Sequence, residues 1–160
     1  MHTVSATIVT TIDRDNDFMR LALEEAGLAF AEGEVPVGAV LVKDDEVIAK
    51  AHNSREKSKD PTGHAEILAF KAGTNKISNW RLTNTTLYVT KEPCIMCAGA
   101  MINARLSRLV YGCKDLKAGA VDSLYKLLSD RRLNHQVEVV SGVLEEECAE
   151  ILQRFFKSKR

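Results

Sequence analysis

The sequence predicts an α/β fold, a three-layer α-β-α domain built around a mixed five-stranded sheet. Two observations predict it. In several segments apolar residues recur at three- and four-residue steps, which is typical of amphipathic helices, and short β-rich runs alternate with these segments. The first two β-rich runs follow each other directly, which predicts a hairpin, whereas helices separate the later runs and predict parallel crossovers. A length of 160 residues fits one such domain.

Each element is predicted from a local pattern. Helices are predicted at residues 17–33, 64–72, 94–104, 123–128 and 144–157. Strands are predicted at residues 37–43, 47–52, 86–90, 108–111 and 137–140. Asp44 and Asp45 form the turn of the hairpin. Asp60 and Pro61 mark the turn before the second helix, because the residue that precedes a proline resists helical dihedral angles.

Residues 1–16 show no clear apolar period, and we expect them to form a flexible N-terminal extension, or at most an added edge strand. Residues 17–160 form the predicted domain. The N-terminal segment lacks both a cationic start and a sustained apolar stretch, so no export signal is predicted and we expect a cytoplasmic setting. In that reducing compartment, paired cysteines indicate metal ligands or catalysts before they indicate disulfides.

Composition and charge exclude several classes of protein. With 45% hydrophobic and 28% charged residues, 9 Gly and 3 Pro, the chain is neither disordered nor collagen-like. Its longest apolar run, residues 35–42, is too short to cross a bilayer. The 22 basic and 22 acidic residues cancel, so no overall field attracts nucleic acid. The last eight residues, 153–160, nevertheless hold four cations and no acid.

Two short motifs carry the residues suited to chemistry. His64, Ala65 and Glu66 open one predicted helix, and a Pro-Cys-Ile-Met-Cys motif at residues 93–97 opens another. Cys94 and Cys97 stand at positions i and i+3, so they share one face of a first helical turn, where the helix dipole stabilises thiolates. Two thiolates and one imidazole make three good zinc ligands, which leaves a fourth position for water, as in catalytic sites.

Glu66 lies two residues after His64 in the sequence, and this spacing indicates a role in the same site. A carboxylate so placed can lie beside the metal without binding it. The motifs therefore predict metal-assisted hydrolysis, with zinc-bound water as the nucleophile and Glu66 as the proton shuttle. Each motif by itself also fits a redox or structural role: the cysteines could be a redox pair or buried core residues, and His64 could cap a helix. Their conjunction favours zinc.

A His-Ala-Glu motif followed about thirty residues later by Pro-Cys-x-x-Cys resembles the zinc signature of the cytidine deaminase superfamily. Over about residues 17–160, the chain resembles more narrowly the bacterial tRNA-specific adenosine deaminase family. The matching motifs lie at residues 36–40, 60–62, 87–90, 94–101, 134–137, 142–144 and 147–148.

The resemblance implies a cytidine-deaminase-like fold and one Zn²⁺ per subunit, held by His64, Cys94 and Cys97. It implies that Glu66 carries a proton from water to the departing ammonia, and that the wobble adenosine of a tRNA anticodon loop becomes inosine. It also implies a homodimer in which the partner subunit helps to complete the RNA groove. A loop base is a fitting target, because leaving the stack costs least in single-stranded RNA.

The resemblance further implies a set of substrate-binding residues. Asn53 would fix the base and ribose, and Asp115 would contact the ribose-phosphate path. The full set is Asn53, Val37, Ala65, Asp115, Phe155 and Phe156. The two phenylalanines belong to a basic segment, residues 154–160, with cations for phosphate and aromatic rings for stacking. The same segment also fits an ordinary helix end, where cations are favoured and a phenylalanine packs into the core.

Three positions depart from the family pattern. Gly63 stands where the family usually has alanine, Lys91 stands at a position that is often apolar, and Cys113 replaces a common alanine. Cys113 could be an extra soft metal ligand or a small buried residue. These departures affect the predicted shape of the pocket more than the predicted reaction.

Two alternative functions remain open at this point. The first is a guanine or free-nucleoside deaminase, because such relatives share the zinc signature. The second, of another class, is a structural zinc-binding module without turnover, which would close the metal site with a fourth protein ligand.

Overall fold

The computed structural model describes residues 2–159, with side chains described from Thr11 onward. The helices are α1 (His2–Ala31), α2 (Ala65–Ile77), α3 (Ile95–Asn103) and α4 (Glu145–Ser158). The strands are β1 (Gly38–Lys43), β2 (Glu46–His52), β3 (Thr85–Lys91), β4 (Arg108–Cys113) and β5 (Glu138–Val140). None of the described helices combines the length and the apolar character that crossing a membrane requires.

The five strands form one mixed sheet in the order β2-β1-β3-β4-β5, which confirms the predicted architecture. Strand β1 pairs antiparallel with both β2 and β3, whereas β3, β4 and β5 run parallel. Asp44 and Asp45 both adopt positive φ angles in the hairpin turn, as a two-residue turn of type I′ requires. The antiparallel half of the sheet is thus set by the hairpin, and the parallel half by the crossover helices.

Both faces of the sheet are covered, because side chains alternate along each strand. Residues such as Val40 and Val110 pack with α1 and α4, while Leu41 and Leu109 pack with α2 and α3. Gly38 permits the close approach of α1, since a Cβ atom there would lie 1.9 Å from the carbonyl oxygen of Ala22. The sheet is therefore buried between two helical layers, and its strand ends carry the connecting loops.

Helix α1 begins at His2 rather than at residue 17, so residues 2–16 form a helix and not an edge strand. Met1 and Arg160 lie outside the described residues. Asp15 fixes this part of α1 to the sheet. Its carboxylate accepts two hydrogen bonds from Arg108, at 2.9 and 2.7 Å, and one from the hydroxyl of Tyr88, at 2.7 Å. The buried contact is ionic, so a search for apolar periodicity could not find it.

Residues 123–128, predicted as a helix, form turns followed by a single 3-10 turn at Leu127–Ser129. The physical reason is the backbone pairing: in a helix the N–H group of Leu127 would donate to the carbonyl of Ser123, but here it donates to the carbonyl of Ala120, at 3.2 Å. The backbone N–H groups of Asp122 and Ser123 donate to the carboxylate of Glu92, which fixes the start of this loop to a distant side chain. The remaining predicted elements are present, with ends that differ by a few residues.

We expect Asp15→Asn to lower the free energy of unfolding by about 2 kcal/mol. A fully buried pair loses roughly 3–5 kcal/mol when one partner is removed, and Arg108 here keeps 19% of its side chain exposed. Urea unfolding monitored by circular dichroism measures the change. The matched control is Asp45→Asn, which removes the exposed pair between Asp45 and Arg14 and should cost less than about 0.5 kcal/mol. Equal effects of the two variants would contradict the structural role of Asp15.

Candidate active site

The candidate active site lies where the N-termini of α2 and α3 meet. His64 and Cys94 are the residues that precede the two helices; both have extended backbones, and neither side chain caps its own helix. Cys97 lies one turn into α3. The Nδ1 atom of His64 is 3.6 Å from the Sγ atoms of both cysteines, and the three ligand atoms lie within 4.8 Å of one another. The structure thus brings the three predicted ligands together.

The donor set fits a borderline-soft divalent metal ion. It consists of one imidazole nitrogen and two sulfurs, and none of the four cysteines forms a disulfide. Hydrogen bonding from the Cys97 thiol and from His64 lowers the pKa of Cys94, which favours the thiolate form of this side chain. Among the side chains that the structure describes, those of residues 11–159, the group contains three ligands and no fourth, which matches an open site better than a closed structural one.

Glu66, the second residue of α2, lies beside these ligands but is not one of them. Its side chain is nearly buried, with 4% exposure, and the carboxyl group hydrogen-bonds to the Cys97 thiol. Burial raises the pKa of Glu66 above its ordinary value. A carboxyl group in this position can hold a proton or release it next to a reacting atom.

A cavity of about 330 Å³ opens beside His64, Cys94 and Glu66. This volume lies at the lower end of the range for small-molecule sites. Five of the six predicted substrate residues line it, and so do several residues that the sequence did not single out for substrate binding. The predicted residues are Val37, Asn53, Ala65, Asp115 and Phe156; the others are Val35, Arg55, Lys91, Glu92 and Ala118.

Phe155, the sixth predicted substrate residue, is not part of the cavity lining. It is 5% exposed, and its ring contacts Phe30 of α1 at a centroid distance of 5.6 Å. The prediction is therefore wrong for one of the two rings: Phe155 packs into the α1–α4 interface, whereas Phe156 faces the cavity. Helical geometry explains this, because consecutive residues point about 100° apart.

One wall of the cavity is held by Glu34, which sequence reasoning missed. Its buried carboxylate accepts hydrogen bonds from the backbone N–H groups of Glu56 and Lys57, at 3.1 and 2.6 Å. Asn53, at the start of the same loop, donates to the carbonyl of Val35 and accepts from the N–H of Arg55. The loop that carries Asn53 is therefore fixed from two sides. No pattern around Glu34 signals this role.

The opposite wall is held by Glu92, whose buried carboxylate accepts five hydrogen bonds. The donors are the backbone N–H groups of residues 115 and 121–123 and the hydroxyl of Ser123. Burial acts to raise the pKa of Glu92, but these hydrogen bonds hold it below its ordinary value. Gly119 leaves room for the carboxylate, because a Cβ atom there would lie 2.3 Å from Glu92 Cδ. In the sequence, the position of Glu92 directly before the Pro-Cys motif was the available signal for its role in the site.

The three residues that depart from the family pattern lie in different parts of the structure. Cys113 is buried, donates to the carbonyl of Thr90 at 3.5 Å and is not in the metal-ligand group, so it is a small core residue. Lys91 lines the cavity and forms an ion pair with Asp115. At Gly63, an alanine Cβ would lie 3.1 Å from the carbonyl oxygen of Asp60, a tight contact with the backbone of the turn.

Comparison with known proteins identifies the class to which this fold and site belong. A family model for MafB19-like deaminases matches residues 13–160. A tRNA-specific adenosine deaminase of Haemophilus influenzae is 50% identical over 147 residues, covering 91% of this chain and 85% of that protein. The chain therefore belongs to the MafB19-like deaminases. It also belongs to the family of tRNA-specific adenosine deaminases.

Solved structures agree in fold. One, from a study of A-to-I editing by tRNA:A34 deaminases at the wobble position of transfer RNA, has a TM-score of 0.82 and 46% identity, and covers 84% of this chain and 98% of that one. A guanine deaminase from Bacillus subtilis has a TM-score of 0.59 and 35% identity, covering 61% of this chain and 63% of that one. The first likeness is the more extensive of the two.

We expect Glu92→Gln to raise KM about tenfold with a smaller change in kcat. The amide NH₂ group of the glutamine would replace one carboxylate oxygen and would face backbone N–H groups that need an acceptor. The loop that carries Asp115 would therefore loosen, at a cost of about 2 kcal/mol in the free energy of unfolding. The metal ligands and Glu66 are not altered. Steady-state kinetics and thermal unfolding measure both effects, with the exposed Glu146→Gln as control. An unchanged KM would show that the wall does not depend on Glu92.

Proposed function

We propose that this chain is a zinc-dependent hydrolase that converts adenosine to inosine at the wobble position of a tRNA anticodon loop. The observation that carries the proposal is the open three-ligand group of His64, Cys94 and Cys97, with Glu66 beside it on one cavity wall. Membership of the tRNA-specific adenosine deaminase family supports the substrate, and the donor set supports zinc.

His64, Cys94 and Cys97 would hold zinc, which would supply a Lewis acid that makes water a nucleophile at neutral pH. Glu66 takes a proton from the attacking water and delivers it to the leaving nitrogen, so its carboxyl must face both atoms. Asn53 positions the base with its amide, whose orientation the Val35 and Arg55 backbones fix. Val37 and Ala65 provide apolar cavity surface for the base. The reaction consumes adenosine and water and yields inosine and ammonia.

An RNA loop suits the shape of the site. The cavity takes one base, which must leave its stack, and this costs least in a single-stranded loop. Phe156, 49% exposed at the cavity, supplies a ring on which a neighbouring base stacks. Asp115, on the opposite wall, contacts the ribose-phosphate path. The basic end of α4 supplies cations for phosphates.

We further propose a homodimer and a cytoplasmic setting. Large apolar side chains at the start of α3 and in the segment after β4 are exposed, as expected of a surface covered by a partner subunit; these are Ile95, Leu116, Leu124 and Tyr125. Four free cysteines fit a reducing compartment. Residues 17–160 carry all the proposed site residues and are proposed as the deaminase domain; the ion pair of Asp15 with Arg108 ties the preceding segment to the sheet of this domain.

The substrate is tested with an anticodon stem-loop that carries adenosine at the wobble position. We expect inosine in this RNA, and no turnover of guanine, adenosine or cytidine as free compounds. Mass spectrometry of nuclease-digested RNA measures the product. Guanine is the main competing substrate, because a guanine deaminase is 35% identical to this chain. Turnover of guanine with unmodified RNA would replace the proposed substrate.

The roles at the metal are tested by a pair of variants. We expect Glu66→Gln to retain zinc and to lose activity by about 10²–10⁴-fold, because the proton carrier is removed. We expect Cys97→Ser to lose both zinc and activity, because one of three ligands is weakened. Plasma emission spectrometry measures zinc in each purified variant. Full activity of Glu66→Gln would rule out Glu66 as the proton carrier.

A further inference from the structure

The cavity wall contains an ion pair between Lys91 and Asp115. Lys91 is the last residue of β3, and its Nζ atom lies 3.1 Å from Oδ2 of Asp115. Both side chains line the cavity, and both are largely buried, at 29% and 14% exposure.

Asp115 is held in place independently of Lys91. Its Oδ1 atom accepts hydrogen bonds from the backbone N–H groups of Lys117 and Ala118, at 3.0 and 3.1 Å. The backbone N–H group of Asp115 donates to the carboxylate of Glu92. Burial acts to raise the pKa of Asp115, but Lys91 and these hydrogen bonds hold it below its ordinary value. Asp115 therefore remains a carboxylate that faces the cavity.

A fixed carboxylate is unfavourable for a polyanionic substrate. Glu66, Glu92 and Asp115 all line the cavity, and a nucleotide within an RNA strand arrives with phosphates on both sides. Like charges that approach in a partly desolvated space repel more strongly than they do in water. A cation next to Asp115 removes this repulsion while it leaves the carboxylate oxygens in position.

We propose that Lys91 is a positioning residue for the substrate strand, which acts by neutralising Asp115. The proposal rests on the proposed RNA substrate. The Lys91 ammonium cancels the charge of Asp115, so that its oxygens accept hydrogen bonds from ribose without repelling the neighbouring phosphates. Lys91 contacts neither the metal ligands nor Glu66 in the described ion pairs and hydrogen bonds, so its effect falls on substrate binding rather than on the chemical step.

The test begins with Lys91→Met, which keeps the length of the side chain and removes the charge. For the anticodon stem-loop, we expect KM to rise about tenfold while kcat changes less than about threefold. Lys91→Arg should keep KM within about threefold of the wild-type value. Lys76→Met is the control, because it removes one exposed cation at the end of α2, away from the cavity. Zinc content and melting temperature are measured for every variant.

A double variant separates neutralisation from direct contact with the RNA. If Lys91 acts through Asp115, Lys91→Met in an Asp115→Asn background should change KM less than about threefold. The amide side chain keeps an oxygen for the N–H groups of Lys117 and Ala118, so the loop retains its support. An equal rise of KM in both backgrounds overturns the proposal, and so does a Lys91→Met effect no larger than that of Lys76→Met.

A loss of zinc or of thermal stability that accounts for the change also overturns the proposal, since Lys91 would then have a structural role. Failure of the proposed function looks different, because it is seen in the wild-type enzyme as an absence of inosine in the stem-loop. Failure of the Lys91 proposal is seen in the variants of an enzyme that edits this RNA.

Discussion

The meeting of two helix N-termini at one edge of the sheet is the constraint on which the rest of the site depends. Helix α2 begins after His64 and helix α3 after Cys94, and both capping residues have extended backbones that turn their side chains out of the helix. Because neither side chain is used as a cap, the imidazole and the thiol are free to bind a metal ion. Cys97 joins them because it lies one turn further along α3.

Sheet topology brings these helices together. Strand β3 leads into α3, and the antiparallel hairpin of β1 and β2 leads into the turn before α2. Since β1 runs antiparallel to both β2 and β3, these two strands run in the same direction, and the segments that follow them emerge at the same edge of the sheet. Helices α2 and α3 then pack on the same face of the sheet. The ligands are therefore far apart in sequence but adjacent in space. The mixed sheet is what permits both connections.

The walls of the cavity depend on buried carboxylates in a way that the metal ligands do not. Glu34 and Glu92 are each 2% exposed, and each accepts backbone N–H groups from a loop that has no regular structure of its own. Hydrogen bonds from backbone donors offset the cost of burying such a charge. The carboxylates thus replace the internal hydrogen bonds that a helix or strand would have supplied to these loops.

This difference explains what the sequence could predict. The strands, α2, α3 and α4 follow from local periodicity, and His64, Glu66, Cys94 and Cys97 follow from short spacings that encode metal chemistry. The roles of Glu34 and Glu92 depend on contacts more than twenty residues away, such as that between Glu34 and Lys57. The length of α1 was missed for the same reason, since Asp15 bonds to Arg108 across 93 positions. Long-range polar contacts leave no period in the sequence.

The candidate metal ligands lie at the starts of helices, whereas the cavity walls are loops held by buried carboxylates. This difference also accounts for deaminases with different substrates that share one fold. In the proposed reaction, breaking the carbon–nitrogen bond needs a metal ion and a proton carrier, and the residues proposed for both roles lie at helix N-termini. Choice among substrates needs different cavity walls, and here these belong to loops fixed by single carboxylates. Loops held in this way can change while the ligands stay in place, so a guanine deaminase and a tRNA-specific adenosine deaminase can both resemble this chain. Under the proposed function, the choice of substrate is therefore assigned to residues such as Asn53, Lys91 and Asp115 rather than to the metal site.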